Sequence, residues 1–318
     1  MIKKSKSKAA IIGAGYVGAS IAFTLALEQA LSEFVLIDAN KEKAVGEALD
    51  INHGLAFLGQ MNIYAGDYQD VKDCDVIVVA AGINRKPGES RLDLAQKNAT
   101  IAKDIIDNIM KYYNGGVILV VANPVDVLTY LLGRWSGLPH GRVIGTGTIL
   151  DSSRFRHAIS KRLNIDVRNV HGYIIGEHGE SQVPAWSATH VAGMHIDKFS
   201  EAGHIRFGGA DKLEIASEVR TAGAVIIKHK GATYYAIAVG VSTLVESLVK
   251  SQNTIRTVSS EIRGLYGVEN VALSLPAIIN GDGVYDYIEL ELPPAELEGF
   301  RASARAIREI IDGLDVSV

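Results

Sequence analysis

The most constraining feature of this sequence is a glycine-rich turn between an apolar run and a helical pattern. Gly13, Gly15 and Gly18 form a G-x-G-x-x-G pattern, with Tyr16 and Val17 between the last two glycines, directly after an apolar run. Such a turn allows a tight bend, close approach of the backbone to a pyrophosphate and close packing of the next helix on the strand. The N–H groups at the start of that helix favour an anion. The turn therefore predicts a β-α-β unit that binds a dinucleotide.

Apolar runs and helical patterns alternate along the first half of the chain. Strands are predicted at residues 9–12, 34–38, 62–65, 76–81, 117–121 and 142–145. Their alternation with helices implies right-handed crossovers and a parallel sheet. In the second half, helices are predicted at residues 150–163, 213–229, 234–250 and 294–314, and strands at residues 170–175 and 285–290. We therefore predict an α/β fold, with a doubly wound parallel Rossmann sheet in residues 1–146 and a mixed α+β substrate domain in residues 147–318.

Composition restricts the partners and the cellular location. The 318 residues carry a formal net charge of -4, so neither nucleic acid nor a membrane surface is expected as a partner. No stretch approaches the roughly 20 apolar residues of a membrane span. The single cysteine, Cys74, can form neither an internal disulfide nor a thiolate metal cage. We expect a cytoplasmic protein without a bound metal.

Asp38 ends the second predicted strand, 20 residues after Gly18. A carboxylate at this spacing accepts hydrogen bonds from the ribose hydroxyls and repels a 2′-phosphate. We therefore expect NAD as the cofactor, in preference to NADP. The alternative is that Asp38 caps the following helix.

Two arginines, Arg85 and Arg91, lie six residues apart in the loop after the strand predicted at residues 76–81. Loops at the carboxyl ends of parallel strands bind the ligand in open α/β sheets. A guanidinium pairs with a carboxylate through two parallel hydrogen bonds. The loop therefore indicates a small anionic substrate, although two solvated arginines are the plainer alternative.

A second group of polar residues fits an alcohol dehydrogenation. Hydride transfer from a secondary alcohol needs a base for the hydroxyl proton, a cation for the substrate carboxylate and a group that polarises the carbonyl in the reverse direction. His178, with Asp151 holding its second ring nitrogen, fits the base. Arg154 fits the clamp and Arg91 the polarising group. The alternatives are a solvated histidine and a surface ion pair worth less than about 1 kcal/mol.

Six motifs extend this pattern along the chain: G-A-G-Y-V-G, V-L-I-D-A-N, A-G-I-N-R-K-P-G-E-S-R-L-D-L, V-A-N-P-V-D, I-L-D-S-S-R-F-R and I-I-G-E-H-G-E. With them the chain resembles the lactate/malate dehydrogenase family over essentially its whole length. The resemblance implies that His178 is the proton donor and acceptor and that Asp151 is its partner. It implies that Arg154 holds the C1 carboxylate, that Arg91 is the arginine of a mobile loop, and that Asn123 contacts substrate and nicotinamide.

The resemblance has further implications. Residues 82–92 would close as a lid, and the chain would form a homodimer or a homotetramer. Arg156 and His171 match positions that bind fructose 1,6-bisphosphate in activated bacterial lactate dehydrogenases, although they could equally be a helix-surface residue and a structural histidine. Thr233 is a further candidate for substrate binding, and Asn98 a further candidate for cofactor binding.

The choice of substrate depends on the lid. Most motifs look lactate-type, but Arg85 stands where lactate enzymes of this pattern carry glutamine, and Glu89 stands where malate enzymes usually carry an uncharged residue. A methyl group discriminates by about 1–3 kcal/mol, whereas a buried charge without its partner costs about 2–5 kcal/mol. Since a lid closed over pyruvate would bury Arg85 unpaired, we expect a malate dehydrogenase of the bacterial lactate-dehydrogenase-like type. L-Lactate and pyruvate are the alternative, if Arg85 turns to solvent or is neutralised by Glu89.

Two other classes of protein compete with this interpretation. An NAD-binding protein without activity would lack at least one catalytic group, yet His178, Asp151, Arg154 and Arg91 are all present. An NAD- and metal-dependent glycosidase would need cysteine and histidine ligands, and the only cysteine lies far from His178 in the sequence.

Overall fold

The first half of the chain alternates strands with helices, as predicted. The computed structural model describes residues 7–84 and 88–316. The strands are β1 (Lys8–Ile12), β2 (Glu33–Ile37), β3 (Asn62–Ala65), β4 (Val76–Val79), β5 (Val117–Val120) and β6 (Val143–Gly145). The helices are α1 (Tyr16–Glu28), α2 (Lys41–Gly54), α3 (Arg91–Met110) and α4 (Val125–Ser136).

These strands form a parallel sheet in the order β3-β2-β1-β4-β5-β6. Every residue of β4 and β5 is buried, which explains why these strands are continuous apolar runs in the sequence. The chain winds outward from β1 to β3 and then returns to β4. The strand order therefore reverses between β1 and β4, and this reversal leaves a crevice at their carboxyl ends.

The second half combines helices with short and long strands. Its helices are α5 (Ile149–Leu163), α6 (Ile196–Ala202), α7 (Gly209–Lys230), α8 (Tyr235–Val249) and α9 (Pro294–Asp312). Its strands are β7 (Val170–His171), β8 (Ile174–Ile175), β9 (Val183–Pro184), β10 (His190–Val191), β11 (Met194–His195), β12 (Thr254–Arg263), β13 (Glu269–Asn280) and β14 (Gly283–Tyr287). The predicted fold class, a doubly wound sheet followed by a mixed α+β part, is confirmed.

Two long strands, β12 and β13, are absent from the sequence prediction. They pair antiparallel with each other, and Ser259 of β12 pairs with Gly145 of β6. The parallel sheet therefore continues beyond residue 146 into the second half, as one sheet of nine strands among the described residues. β12 has the sequence T-I-R-T-V-S-S-E-I-R. It is hard to recognise as a buried strand from this sequence because two of its fully buried residues, Ser259 and Ser260, are polar.

Two of the predicted strands differ in detail. The strand expected at residues 170–175 is divided into β7 and β8, which belong to different sheets. The strand expected at residues 285–290 is β14, which begins and ends earlier in the chain.

Helices cover both faces of the large sheet because successive strand residues point to opposite sides. Buried residues of α1, α2 and α8 pack on one face, and those of α3, α4 and α9 pack on the other. A third core joins α5 to α7 around Phe155. Within the described residues, no helix combines the length and the apolar character needed to cross a bilayer.

Candidate active site

The glycine turn connects β1 to α1 at the crevice. Gly13 has a φ of 102°, and a Cβ there would lie 2.6 Å from the backbone nitrogen of Ala81. A Cβ at Gly18 would lie 1.8 Å from the carbonyl oxygen of Gly13, so the helix could not pack as closely. A Cβ at Gly15, in contrast, would meet nothing within 4 Å. The turn is therefore tightly packed on the protein side and open at the start of α1, where a pyrophosphate would bind.

Asp38 lies directly after β2 and next to this turn. Its Oδ2 accepts a hydrogen bond from the Ala14 backbone nitrogen at 2.6 Å, and its Oδ1 accepts one from the Asn40 nitrogen at 2.8 Å. The cap of α2 is Asn40, whose side chain accepts from the Lys43 nitrogen, so the alternative role of Asp38 as that helix cap does not hold. Its carboxylate is fixed beside the turn, as binding of an NAD ribose requires.

Two more predicted cofactor residues, Tyr16 and Val17, lie between Gly15 and Gly18. Tyr16, the first residue of α1, is 72% exposed, and its ring stacks on Tyr234 with 5.5 Å between the centroids. Val17 is partly buried against the core that contains α1 and α8. Tyr16 therefore presents a broad ring at the crevice, whereas Val17 contributes mainly to packing.

His178 and Asp151 meet between two elements of the second half. The chain turns after β8 through Gly176, which has a φ of 85°, and this turn presents His178. Asp151 lies in the first turn of α5, and Arg154, three residues later, lies on the same face of the helix. Nδ1 of His178 lies 2.5 Å from Oδ2 of Asp151, and Arg154 donates to Oδ1 of Asp151 at 3.0 Å. Because Asp151 engages Nδ1, Nε2 is the ring nitrogen that can exchange a proton with a ligand.

Burial and the neighbouring charges shift the pKa values of His178 and Asp151 in opposite directions. Burial lowers the pKa of His178, but the carboxylates of Asp151 and Asp126 outweigh it and raise that pKa to about 9. Burial raises the pKa of Asp151, but His178 and Arg154 hold it below its usual value. At neutral pH the proton therefore stays on His178 and the negative charge on Asp151.

A cavity of about 240 Å³ lies beside His178. Arg91 from α3 and Asn123 from the loop after β5 line it, and Ile307 and Ile310 of α9 add apolar surface. Its volume suits a small acid, and its polar groups come from both halves of the chain. Within the part of the chain that the structure describes, no cluster of histidine, cysteine and acidic side chains could hold a metal ion.

Arg91 already contacts a carboxylate at this site. It is the first residue of α3, whose start is capped by Ser90. Its guanidinium forms an ion pair with Glu180, two residues after His178, and both side chains are largely exposed. Sequence reasoning missed Glu180, although its position in the G-E-H-G-E motif beside the histidine is a usable signal.

Three predicted ligands do not line this cavity within the described residues. Arg154 is held in its ion pair with Asp151 on α5. Asn98 is 2% exposed, and its amide bonds to backbone groups of Ile83 and Asn123. Thr233 lies in the connection between α7 and α8. Asn98 thus supports the loop of Asn123 and does not present its amide to a cofactor.

Part of the predicted lid, including Arg85, lies outside the described residues. Glu89, the other unusual lid residue, is described. It forms an ion pair with Lys97 in the second turn of α3, and its side chain is mostly buried.

The two predicted effector residues line one further cavity. Arg156 and His171 border a space of about 440 Å³ together with Arg256. Nε of Arg156 is buried, and no described residue accepts a hydrogen bond from it. Burial first and the neighbouring Arg256 second lower the pKa of Arg156. The cavity therefore combines two arginines and a histidine, as an anion would require.

Comparison with known protein families covers both halves of the chain. Residues 7–145 match the lactate/malate dehydrogenase NAD-binding domain. Residues 148–315 match the lactate/malate dehydrogenase alpha/beta C-terminal domain.

Relatives and solved structures match along their whole lengths. The L-lactate dehydrogenase of Thermoanaerobacterium saccharolyticum is 51% identical over 311 residues, which cover 98% of this chain and 100% of that protein. The minor L-lactate dehydrogenase of Enterococcus mundtii, solved in a ligands-bound form, is 40% identical with a TM-score of 0.95, covering 99% and 100% of the two chains. The L-lactate dehydrogenase of Clostridium thermocellum is 56% identical with a TM-score of 0.87, covering 98% and 100%.

These similarities overturn the substrate that we predicted from the lid. The relatives are L-lactate dehydrogenases at 40–56% identity across nearly the whole chain, so the prediction of malate was wrong. The energy assigned to Arg85 applies only to a guanidinium sealed against the substrate, and no observation established that burial. The lactate-type motifs in the rest of the chain agree with these relatives, whereas the single lid residue Arg85 does not decide the substrate.

Proposed function

Because the chain belongs to the lactate/malate dehydrogenase family, we propose that it is an NAD-dependent L-lactate dehydrogenase, which interconverts L-lactate and pyruvate. The names of its relatives support this substrate. The observation that carries the chemistry is the contact between His178 and Asp151 beside a small cavity that Arg91 also lines. A histidine held by a carboxylate acts as acid and base, and a cation beside it attracts an acid substrate.

The proton chemistry belongs to His178. The glycine turn and Asp38 would hold NADH, which would supply the hydride. His178 holds a proton at Nε2 and donates it to the carbonyl oxygen of pyruvate, and in the reverse direction it accepts the hydroxyl proton of lactate. Asp151 orients the ring through Nδ1 and stabilises the protonated form. The raised pKa of His178 favours reduction of pyruvate at neutral pH.

Binding of the substrate needs two cations. Arg154 does not line the cavity in this structure, but in this proposal it binds the carboxylate with the guanidinium nitrogens that Asp151 does not use, and its ion pair with Asp151 holds its side chain on that face of α5. Arg91 polarises the carbonyl after it separates from Glu180. Asn123 at the cavity wall orients substrate and nicotinamide, and the apolar surface of α9 excludes water.

We propose three further properties of the protein. Residues 1–146 and 147–318 act as the nucleotide and substrate domains. The chain forms a homodimer or a homotetramer, since α2 exposes Val45 and Leu49, and α7 and α8 expose other large apolar side chains. Fructose 1,6-bisphosphate binds at the cavity of Arg156 and His171. A cytoplasmic location remains a prediction from the single cysteine.

Oxidation of L-lactate by the purified protein tests the proposed function. We expect NADH to form with L-lactate and NAD, and His178→Gln to lower kcat by about 10²–10⁴-fold, the usual contribution of a general acid or base. NADH binding, followed by its fluorescence, should survive in the variant because the glycine turn is separate from His178. Near-normal turnover in His178→Gln, or no activity of the unmodified protein with L-lactate, would refute the proposal.

A further inference from the structure

Asp126 is a second carboxylate in contact with the turn of His178. It is the second residue of α4, it is 2% exposed, and it lines the same cavity as His178. Its Oδ2 accepts a hydrogen bond from the backbone nitrogen of His178 at 2.7 Å. The two residues are separated by 52 positions in sequence, and they come from the two halves of the chain. This bond therefore joins the loop of Asn123 to the catalytic turn.

The contact is unusual for an acidic residue in the first turn of a helix. Such a residue ordinarily interacts with the free N–H groups of its own helix, whereas Asp126 reaches across to another element. The other oxygen, Oδ1, is buried and has no donor at hydrogen-bonding geometry among the described residues. A buried carboxylate with incomplete hydrogen bonding is costly, so a compensating positive charge close by is expected.

The balance of effects on Asp126 leaves it ionised at neutral pH. Burial raises its pKa to about 6, while the Ser259 hydroxyl, the N–H of His178 and the charge of His178 act against burial. The same interaction acts in return on the ring, because the charge of Asp126 raises the pKa of His178. Among the described residues, the charged groups that face His178 or its cavity are Asp151 and Arg154 on α5, Asp126 on α4, Arg91 on α3, and Glu177 and Glu180 on its own turn.

We propose that Asp126 is a positioning residue for His178: it fixes the backbone of the turn and its charge favours the protonated ring, in addition to Asp151. This proposal rests on the proposed role of His178 as acid and base. Asp151 acts on the ring nitrogen directly, whereas Asp126 acts through the backbone and through its charge.

Substitution by asparagine separates the two effects. Asp126→Asn retains an oxygen that can accept the His178 N–H but removes the charge. The pKa of His178 is measured by NMR of the protein labelled with ¹³C in its histidine rings, with His178→Gln assigning the signal. We expect the pKa to fall by about one unit, the scale of one nearby charge, and the pH profile of kcat/KM for pyruvate to move by the same amount. Asp107→Asn, an exposed change on α3, should move neither.

The results separate this proposal from the proposed function. An unchanged pKa of His178 in folded Asp126→Asn would overturn the role of Asp126, even if activity or thermal stability fell. A pH profile of the unmodified enzyme that does not follow the pKa of His178 would instead refute the catalytic role of His178. If Asp126→Asn does not fold, the NMR titration of the unmodified protein tests the proposal instead. The His178 signal should then show a second, smaller inflection near pH 6 as Asp126 ionises. Its absence would contradict the proposal.

Discussion

Replacing Asp151 by asparagine should move the working pH range of the enzyme. The pKa of His178 is raised from 6.5 to about 9, which corresponds to about 3 kcal/mol at about 1.4 kcal/mol per pH unit. Burial acts in the other direction, and among the groups that raise this pKa, Asp151 contributes most. Without its charge we expect the pKa of His178 to fall to about 6.5 or lower, so that at pH 7.5 only about one tenth of the molecules carry the proton.

The loss of charge should therefore appear as a pH-dependent loss of activity. Reduction of pyruvate uses the protonated ring, so kcat/KM of the unmodified enzyme should stay high at neutral pH and fall as the pH rises through about 9. In Asp151→Asn the fall should begin near pH 6.5, giving at least a tenfold loss at pH 7.5 that is partly regained in mildly acidic buffer. Oxidation of L-lactate uses the neutral ring and should show the opposite dependence, rising with pH.

The assay is a pair of pH profiles for pyruvate reduction, followed by NADH absorbance at constant ionic strength. Asp107→Asn removes a carboxylate from the exposed face of α3, where it pairs with Lys103, and serves as the matched control. Equal midpoints in the unmodified enzyme and in Asp151→Asn would refute the reasoning, because His178 would then not depend on Asp151 for its proton.

Three further predictions concern other parts of the site. Glu180→Gln should lower KM for pyruvate by up to about fivefold with little change in kcat, since an exposed ion pair is worth at most about 1 kcal/mol; an unchanged KM would mean that the pair does not compete with substrate. Asp38→Ser should narrow the preference for NADH over NADPH in a kinetic comparison, and equal use of both cofactors by the unmodified protein would contradict this role of Asp38. Arg156→Ser should abolish the response of activity and oligomer size to fructose 1,6-bisphosphate. If the unmodified protein shows no response in the same titration, the proposed effector site is refuted.

The sequence predicts the nucleotide half of the fold well because that half is dominated by local patterns. β4 and β5 are buried on both faces and read as apolar runs, and the glycine spacing requires a turn that only glycine can form at Gly13. β12 could not be predicted from the sequence because its polar Ser259 and Ser260 are buried within a paired strand, and no local pattern reports that burial.

In the candidate site as well, residues in distinctive local motifs could be predicted, whereas residues that act through distant contacts could not. Asp151 and His178 are recognisable because each lies in a distinctive motif, and the structure brings them together. Asp126 could not be predicted from the sequence because an aspartate at the start of a helix usually interacts with the N–H groups of that helix. Its contact with His178 joins residues 52 positions apart. The choice of substrate failed for a different reason: the energy of one charge depends on its burial, and burial of Arg85 cannot be read from the sequence.

The most direct test of the proposed function is a side-by-side measurement of kcat/KM for pyruvate and oxaloacetate with NADH, using the unmodified protein at neutral pH. We expect the value for pyruvate to be higher by about tenfold or more, which corresponds to at least about 1.4 kcal/mol of discrimination. Equal values, or a higher value for oxaloacetate, would contradict the assignment as an L-lactate dehydrogenase.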